Sequence, residues 1–306
     1  MALDHSRTLT QSVMQKTMNW MQQRGLPGAE LTLFALCLSL LLSNTHGFGH
    51  GAECTRRWWL PCSFGGCKFY LDANGFLDRT GSCPSQGGTL DLHGQGIKGL
   101  REDVFSNMSA CERLYLGDND LYIGGLRAAV FNGLTNLKYL DLEYNELPNL
   151  PEAIFNGLTN LEYLDLHFNR LAALPEPIFH CLTNLRLLTL SSNRLTALPE
   201  PIFNGLTNLE YLSLEDNELP NLPEAIFNGL TNLKDLTLRW NGLTALSAVV
   251  FNGLTNLEVL KLSYNKLAAL PAAVFNGLKN LKTLYLSKNE LTGLPAAVFD
   301  DLTNLR

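Results

Sequence analysis

The chain has no excess of positive charge, no run of five basic residues and no apolar stretch of bilayer-spanning length. Its 306 residues carry 23 Lys and Arg against 29 Asp and Glu, a net charge of −6. That balance excludes a protein built to neutralise a nucleic-acid backbone. The apolar run LTLFALCLSLLL at residues 31–42 is too short for a transmembrane helix. It has the length of a signal-peptide core instead. Catalytic signatures are missing too: there is no HExxH, no phosphate-binding glycine loop and no nucleophile set beside a base. No enzymatic activity, no cofactor and no metal are expected. With 46% hydrophobic and 17% charged residues, the composition is that of a folded globular chain.

Residues 1–50 read as a leader, followed by a cysteine-rich N-terminal cap at 51–88 and a repeat region at 89–306. A start at Met21 would give a more ordinary signal peptide, with Arg24 as its basic end and cleavage in SNTHGFGHG; an uncleaved signal anchor is the alternative. Export agrees with the cysteines. Once Cys37 leaves with the leader, six of the seven remain, and Cys54, Cys62, Cys67 and Cys83 cluster in a segment too short for its own core. In an oxidising compartment they predict two disulfides, in any of three pairings. No histidine falls at zinc-ligand spacing among them. Asn107-Met108-Ser109 is a glycosylation sequon on a loop of the first unit. Cys111 fills a leucine slot and is expected as a buried hydrophobe, and Cys181 as a free thiol.

From Leu137 onward the chain repeats with a period of 24, with Leu137, Leu161, Leu185, Leu209, Leu233, Leu257, Leu281 and Leu305 each opening a unit. A fixed period of this size marks a solenoid. The unit at 161–184, LEYLDLHFNRLAALPEPIFHCLTN, gives the pattern LxxLxLxxNxLxxLPxxxFxxLxx. A less regular unit opens at Cys111 with two extra residues in YIGGL, and an earlier one, LDLHGQGIKGLREDVF, has Gln95 at the Asn position. About nine units precede a stub. The LxL alternation predicts short strands with inward leucines, pairing unit to unit into one parallel sheet. A ladder of Asn from Asn119 to Asn289 should satisfy buried backbone groups where the chain turns after each strand. A ladder of Phe from Phe105 to Phe299 should fill the opposite side. Both are scaffold.

The repeats can be compared with one another. NELPNLPEAIFNGLTNL occurs unchanged at 145–161 and 217–233, so the loops and the far side are near-copies. The outward strand positions differ from unit to unit, as a recognition surface would. Candidate ligand-binding residues on this concave face are Tyr115, Tyr139, Asp141, Glu143, Tyr144, Tyr163, Asp165, His167, Phe168, Tyr211, Ser213, Asp235, Arg239, Trp240, Lys261, Tyr264 and Tyr285. Tyr and Trp are the usual currency of binding surfaces. Acidic residues gather in the early units, at Asp118, Asp141, Asp165 and Glu143 and again at Glu215 and Asp216. Arg239, Lys261 and Lys288 make the last units basic, which would steer a partner of reverse polarity. His167 beside Asp141, Asp165 and Glu143 would suit acid–base or metal chemistry only in a pocket, and a smooth sheet offers none.

This pattern resembles the leucine-rich repeat family, in its extracellular class of 24-residue units, from about residue 54 to the C-terminus. LTGLPAAVFDDLTNLR is similar to repeats of the variable lymphocyte receptors of jawless vertebrates and of related Toll-like or adhesion ectodomains. The resemblance implies an α/β-type solenoid, a horseshoe with a parallel β-sheet on the concave face and loops or short helical turns on the convex face. It also implies a secreted or surface recognition module without chemistry, binding a protein or glycan. A structural or adhesive matrix protein with one fixed partner or self-association is the alternative. The Cys segment departs from the family's compact cap spacing, the plant-type Gly-x-Ile-Pro signature is absent, and no C-terminal cysteine cap, lipid-anchor signal or membrane helix follows. The last unit is therefore expected to expose Phe299, Leu302 and Leu305 and an open edge at Tyr285, able to take a second copy. A missing C-terminal part would be the place for a cap and a membrane anchor.

Overall fold

The computed structural model describes residues 62–64, 66–83 and 88–306. The leader at 1–50, Cys54 and the Cys62 side chain lie outside the described residues. Three short strands come first: β1 (Cys62–Phe64), β2 (Cys67–Leu71) and β3 (Phe76–Thr80). β4 (Gly88–Asp91), β5 (Gly99–Leu100) and β6 (Cys111–Tyr115) lead into the regular units. These carry β7 (Tyr139–Asp141), β8 (Tyr163–Asp165), β9 (Leu187–Thr189), β10 (Tyr211–Ser213), β11 (Asp235–Thr237), β12 (Val259–Lys261) and β13 (Thr283–Tyr285). β4 and β6 to β13 form one nine-stranded parallel sheet in chain order, the sheet of a solenoid. Among the described residues no helix is long and apolar enough to cross a membrane.

The alternation of the sequence explains the strands. In the unit that opens at Leu137, Leu140 and Leu142 of the LxL strand turn inward and are fully buried, as are Leu137 and Leu147. Each strand is only three residues long because Asn145 then turns the chain. Its Nδ2 donates to the carbonyls of Leu116, Leu142 and Glu143 at 3.0–3.1 Å, and its Oδ1 accepts the N–H of Leu121 at 3.1 Å. The same set of bonds recurs at Asn169, Asn193, Asn217, Asn241 and Asn265. A buried amide with donors and an acceptor thus ties each unit to the one before it, where the backbone would otherwise keep unsatisfied groups.

The far side returns through successive turns rather than helices. Ile154 N–H donates to Pro151 O at 3.0 Å, Leu158 N–H to Phe155 O at 3.2 Å and Leu161 N–H to Leu158 O at 3.0 Å. Under them the Phe ladder stacks, with ring centroids 6.1–6.4 Å apart from Phe155 to Phe299. Full burial of such a ring is worth about 1.5–3 kcal/mol, so the convex side holds much of the fold's driving force.

The first strands close the N-terminal end of this stack. β1, β2 and β3 pair antiparallel, and β5 adds to β3 in parallel. Phe69 of β2 is fully buried, with its ring 6.4 Å from Phe105, so the cap supplies one more rung of the Phe ladder. Arg79 of β3 donates to the Ser106 carbonyl at 2.6 Å and to its hydroxyl at 2.9 Å. One disulfide joins Cys67 and Cys83. Of the two expected disulfides this pairing is the one on the described residues. The lengthened YIGGL loop forms a three-residue 3-10 turn (Ile123–Gly125) that approaches β5 at Gly99. A Cβ on Gly125 would fall 2.4 Å from the Lys98 carbonyl, so this approach requires glycine.

Cys111 is fully buried, and burial pushes its thiol up to about 12, which keeps it an inert hydrophobe. Cys181 is half-buried and free. At the last unit Tyr285, Phe299 and Leu305 are exposed, joined by Leu294. Leu302 corrects the expectation: it is 6% exposed, because it folds back into the continuous hydrophobic core with Val298.

A candidate recognition face on the parallel sheet

The sheet register fixes which side chains stand beside one another. One column runs Arg113, Tyr139, Tyr163, Leu187, Tyr211, Asp235, Val259 and Thr283, paired strand to strand without a slip. The next runs Tyr115, Asp141, Asp165, Thr189, Ser213, Thr237, Lys261 and Tyr285. These are the two variable columns of the sequence, each on a single face. Neighbouring strands lie about 4.8 Å apart, so every residue has near-identical positions on both sides to pack against.

That packing corrects the expected exposure of four candidates. Asp141 is 5%, Glu143 8%, His167 5% and Ser213 2% exposed, so these side chains belong to a buried polar layer and not to an open acidic surface. The reason is spacing, since long side chains at that separation cover shorter ones on the next strand. Tyr115, Tyr139, Tyr144, Tyr163, Asp165, Phe168, Tyr211, Asp235, Arg239, Trp240, Lys261 and Tyr264 are half-buried, and Tyr285 is exposed.

A third column was visible in the sequence only as the residue before each Asn. Asp118, Tyr144, Phe168, Ser192, Asp216, Trp240, Tyr264 and Lys288 all adopt a positive φ, between 47° and 60°. Non-glycine residues avoid this region, and bulky ones most of all. The conformation swings these side chains into line along the face. Tyr144 stacks on Phe168 with centroids 4.3 Å apart, and Trp240 on Tyr264 at 3.8 Å. The Arg239 guanidinium lies 5.7 Å from the Tyr264 ring centre, a cation–π arrangement. Tyr115, Tyr139 and Tyr163 form a row of tilted rings, with centroids 5.0 and 5.9 Å apart. Burial raises the phenol pKa of Tyr115, and that of Tyr139 well above the usual value, so both hydroxyls stay protonated donors.

His167 sits at the centre of the polar layer. Its Nδ1 is 2.5 Å from Asp165 Oδ1 and its Nε2 is 3.0 Å from Glu143 Oε2. Burial alone would lower its pKa, but the two carboxylates outweigh it and hold the imidazole well above its ordinary value, as an imidazolium bridge. Asp141 moves up as well, because burial and the Glu143 and Asp165 charges all disfavour its ionised form. His93, which the sequence reading did not single out, lies against Asp118 at 3.8 Å and close to Asp141 and Glu143. The sequence signal for it was its place one residue after LDL, the place that Glu143 and His167 hold in later units.

At the strand entries a cleft of about 610 Å³ is lined by Lys138, Glu162, Arg186, Glu210 and Lys234 with Asn160, Asn184, Asn208 and Asn232. Most of its charges are paired, with Lys138 on Glu112 outside the cleft at 3.1 Å. Glu210 takes the Arg186 guanidinium and the Lys234 ammonium, the latter at 2.6 Å. Each lining Asn holds a threonine carbonyl of the previous unit at 2.8–2.9 Å. It is a structural edge.

A family model described as leucine rich repeat matches residues 88–147, 121–171, 183–243, 231–274 and 255–306. Among solved structures, the chain is similar to Drosophila Toll in its complex with Spatzle, with 32% identity and a TM-score of 0.64 over 69% of this chain and 28% of that one. It is similar to TLR13 in complex with ssRNA13, with 32% identity and a TM-score of 0.52 over 64% of this chain and 32% of that one. A leucine-rich repeat protein of Leptospira interrogans gives 33% identity and a TM-score of 0.54 over 72% of this chain and 59% of that one. The chain thus spans less than a third of the Toll and TLR13 chains and about three fifths of the Leptospira protein. No curated protein matches.

Proposed function

The chain belongs to the leucine-rich repeat family, whose solenoids typically serve as non-enzymatic protein-binding scaffolds, and we propose that it is an extracellular recognition module that holds a protein or glycan ligand on its sheet face. The observation that carries this reading is the contrast between copied and uncopied parts. Residues 145–161 and 217–233 are identical through the turns and the Phe ladder, while the register columns on the sheet change from unit to unit. Drift would have scattered the exposed convex turns as well.

The chemistry of the face supports the same reading. Half-buried aromatic rings, already ordered by stacking, lose little side-chain entropy when a partner covers them. The Tyr144–Phe168 and Trp240–Tyr264 stacks, with the tyrosines of another column on the same face, offer apolar ring area and hydroxyls. Toll and TLR13 carry their partners as complexes of this same fold, which supports a binding role here. The residue set proposed for contact is therefore Tyr115, Tyr139, Tyr144, Tyr163, Asp165, Phe168, Tyr211, Asp235, Arg239, Trp240, Lys261, Tyr264 and Tyr285, with the buried Asp141, Glu143, His167 and Ser213 supporting from beneath. The Cys67–Cys83 disulfide fits an oxidising compartment, as does an exposed Asn107 at the head of its sequon. The division into leader, cysteine-rich cap and repeats stands as part of this proposal.

A pull-down and a glycan array with the purified full chain test it. Retention of a ligand that Trp240→Ala and Tyr163→Ala together release supports the reading. Concentration-dependent self-association with no outside ligand would replace it with the adhesive alternative.

A further inference from the structure

Two units apart on a parallel sheet, backbones are separated by about 10 Å, and side chains at equivalent positions do not normally meet. His93 and Glu143 occupy one repeat position in units two apart, with Gly117 at that position between them. Every later unit carries a side chain there: His167, Ser191, Glu215, Arg239, Ser263 and Ser287. Gly117 leaves a gap, and three polar side chains converge on it. A Cβ built on Gly117 would lie 2.8 Å from Glu143 Cγ, 3.0 Å from Asp141 Oδ2 and 3.0 Å from His93 Nδ1.

The three donors are largely buried. The His93 side chain is 8% and the Glu143 side chain 11% exposed, and Asp141 as a residue 5%. One donor atom from each lies within 4.8 Å of the other two. Asp141 Oδ1 accepts the Glu143 backbone N–H at 2.9 Å, while among the described residues no hydrogen bond reaches Oδ2, the oxygen that faces the gap. The outer sides are held. His93 Nε2 lies 3.8 Å from the Asp118 carboxylate, while Nδ1 is on the side of the gap. Glu143 Oε2 is 3.0 Å from His167 Nε2, and His167 is itself anchored on Asp165. Partners of this kind behind each ligand fix the ring and carboxylate orientation that metal binding needs.

We propose that the gap over Gly117 binds a divalent transition ion of the zinc class through His93 Nδ1 and the Asp141 and Glu143 carboxylates, with water completing the shell. One imidazole with two carboxylates suits zinc better than calcium or magnesium, which take oxygen ligands alone. Zinc–ligand bonds of about 2.1 Å put tetrahedral donors roughly 3.4 Å apart, so donors within 4.8 Å reach it by small side-chain rotations. The charge also balances. Asp141, Glu143 and Asp165 gather three carboxyl groups around the single imidazole of His167, so a dication would add positive charge where the layer has little. Bound metal would fasten the units of β4 and β7 across β6, stiffening the start of the sheet face. This proposal is independent of the recognition reading and of any ligand.

The test uses the purified full chain without a histidine tag, stripped with EDTA and titrated with Zn²⁺ in a calorimeter, with Ca²⁺ in parallel. About one Zn²⁺ per chain should bind, Ca²⁺ should not compete, and the thermal midpoint should rise with Zn²⁺. His93→Gln and Asp141→Asn should abolish this, and Asp118→Asn should weaken it roughly tenfold. Gly117→Ser is a second check that alters none of the three donors. Its Cβ would press on Glu143 Cγ, so its own unfolding midpoint in EDTA is the reference, and against that reference it should gain nothing from Zn²⁺. His180→Ala, beside the free Cys181, should bind as the parent does. No Zn²⁺ binding by the parent, full binding by Gly117→Ser, or loss in His180→Ala would each overturn the assignment.

Discussion

Ser192 holds a φ of 53°, and its neighbour Ser191 does not share that conformation. The same substitution, serine to glycine, should therefore act with opposite sign at two adjacent positions. At Ser192 a left-handed backbone costs a residue with a Cβ about 1–2 kcal/mol. Glycine adopts it freely but loses about 0.5–1 kcal/mol more chain entropy on folding. Its backbone N–H bond to Glu215 O at 2.8 Å is kept, so Ser192→Gly should stabilise by roughly 0.5–1 kcal/mol. At Ser191 there is no backbone relief, and the buried hydroxyl would lose its 2.5 Å bond to Ser213 Oγ. Ser191→Gly should destabilise by about 1–2 kcal/mol. With a slope near 2.5 kcal/mol per molar urea, the unfolding midpoint should rise by about 0.3 M for the first variant and fall by about 0.6 M for the second. Ser192→Val, β-branched, should fall as well. If both glycine variants shift the midpoint in the same direction, or Ser192→Val leaves it unmoved, the strain argument for the whole column from Asp118 to Lys288 is wrong.

Other outcomes follow from the same geometry. Asn217→Ala should cost about 2–4 kcal/mol by urea unfolding, because Leu195 N–H loses its acceptor, whereas the Leu190 and Leu214 carbonyls keep the amides of Asn193 and Asn241. Trp240→Ala should weaken binding of the captured ligand by roughly thirtyfold or more, as a central aromatic anchor does, with far-UV circular dichroism unchanged. In EDTA, stability should fall as pH rises through neutrality. The raised pKa of His167 contributes stability that is complete below about 6.5 and is lost as pH climbs through the folded value. The raised pKa of Asp141 acts in the same direction, since the folded state keeps a proton that the unfolded chain releases above about 3.8. Urea midpoints at pH 6 and pH 9 check the sign, and Asp141→Asn should flatten part of the slope.

The repeat, its inward leucines and both ladders were legible in the sequence because each depends on one residue's own place in the 24-residue period. Period alone says which residues share a column, and the strand register bears this out for Tyr139 and Tyr163 as for Asp141 and Asp165. Burial of a column member depends on its neighbours' sizes, which the period does not state. Asp141 and Glu143 read as surface acids because strand positions between leucines point outward; His167 and the tyrosine row cover them. The positive φ at Tyr144 and Trp240 was hidden for a different reason, since local propensity argues against aromatic residues there and the recurring turn overrides it. Gly117 shows the same limit from the other side. As a letter it is one glycine among 25. Only when β4, β6 and β7 stand in order does its missing side chain become the feature that lets His93 reach Glu143 and Asp141. In a solenoid the period thus writes the scaffold, and departures from it within one column write the sites.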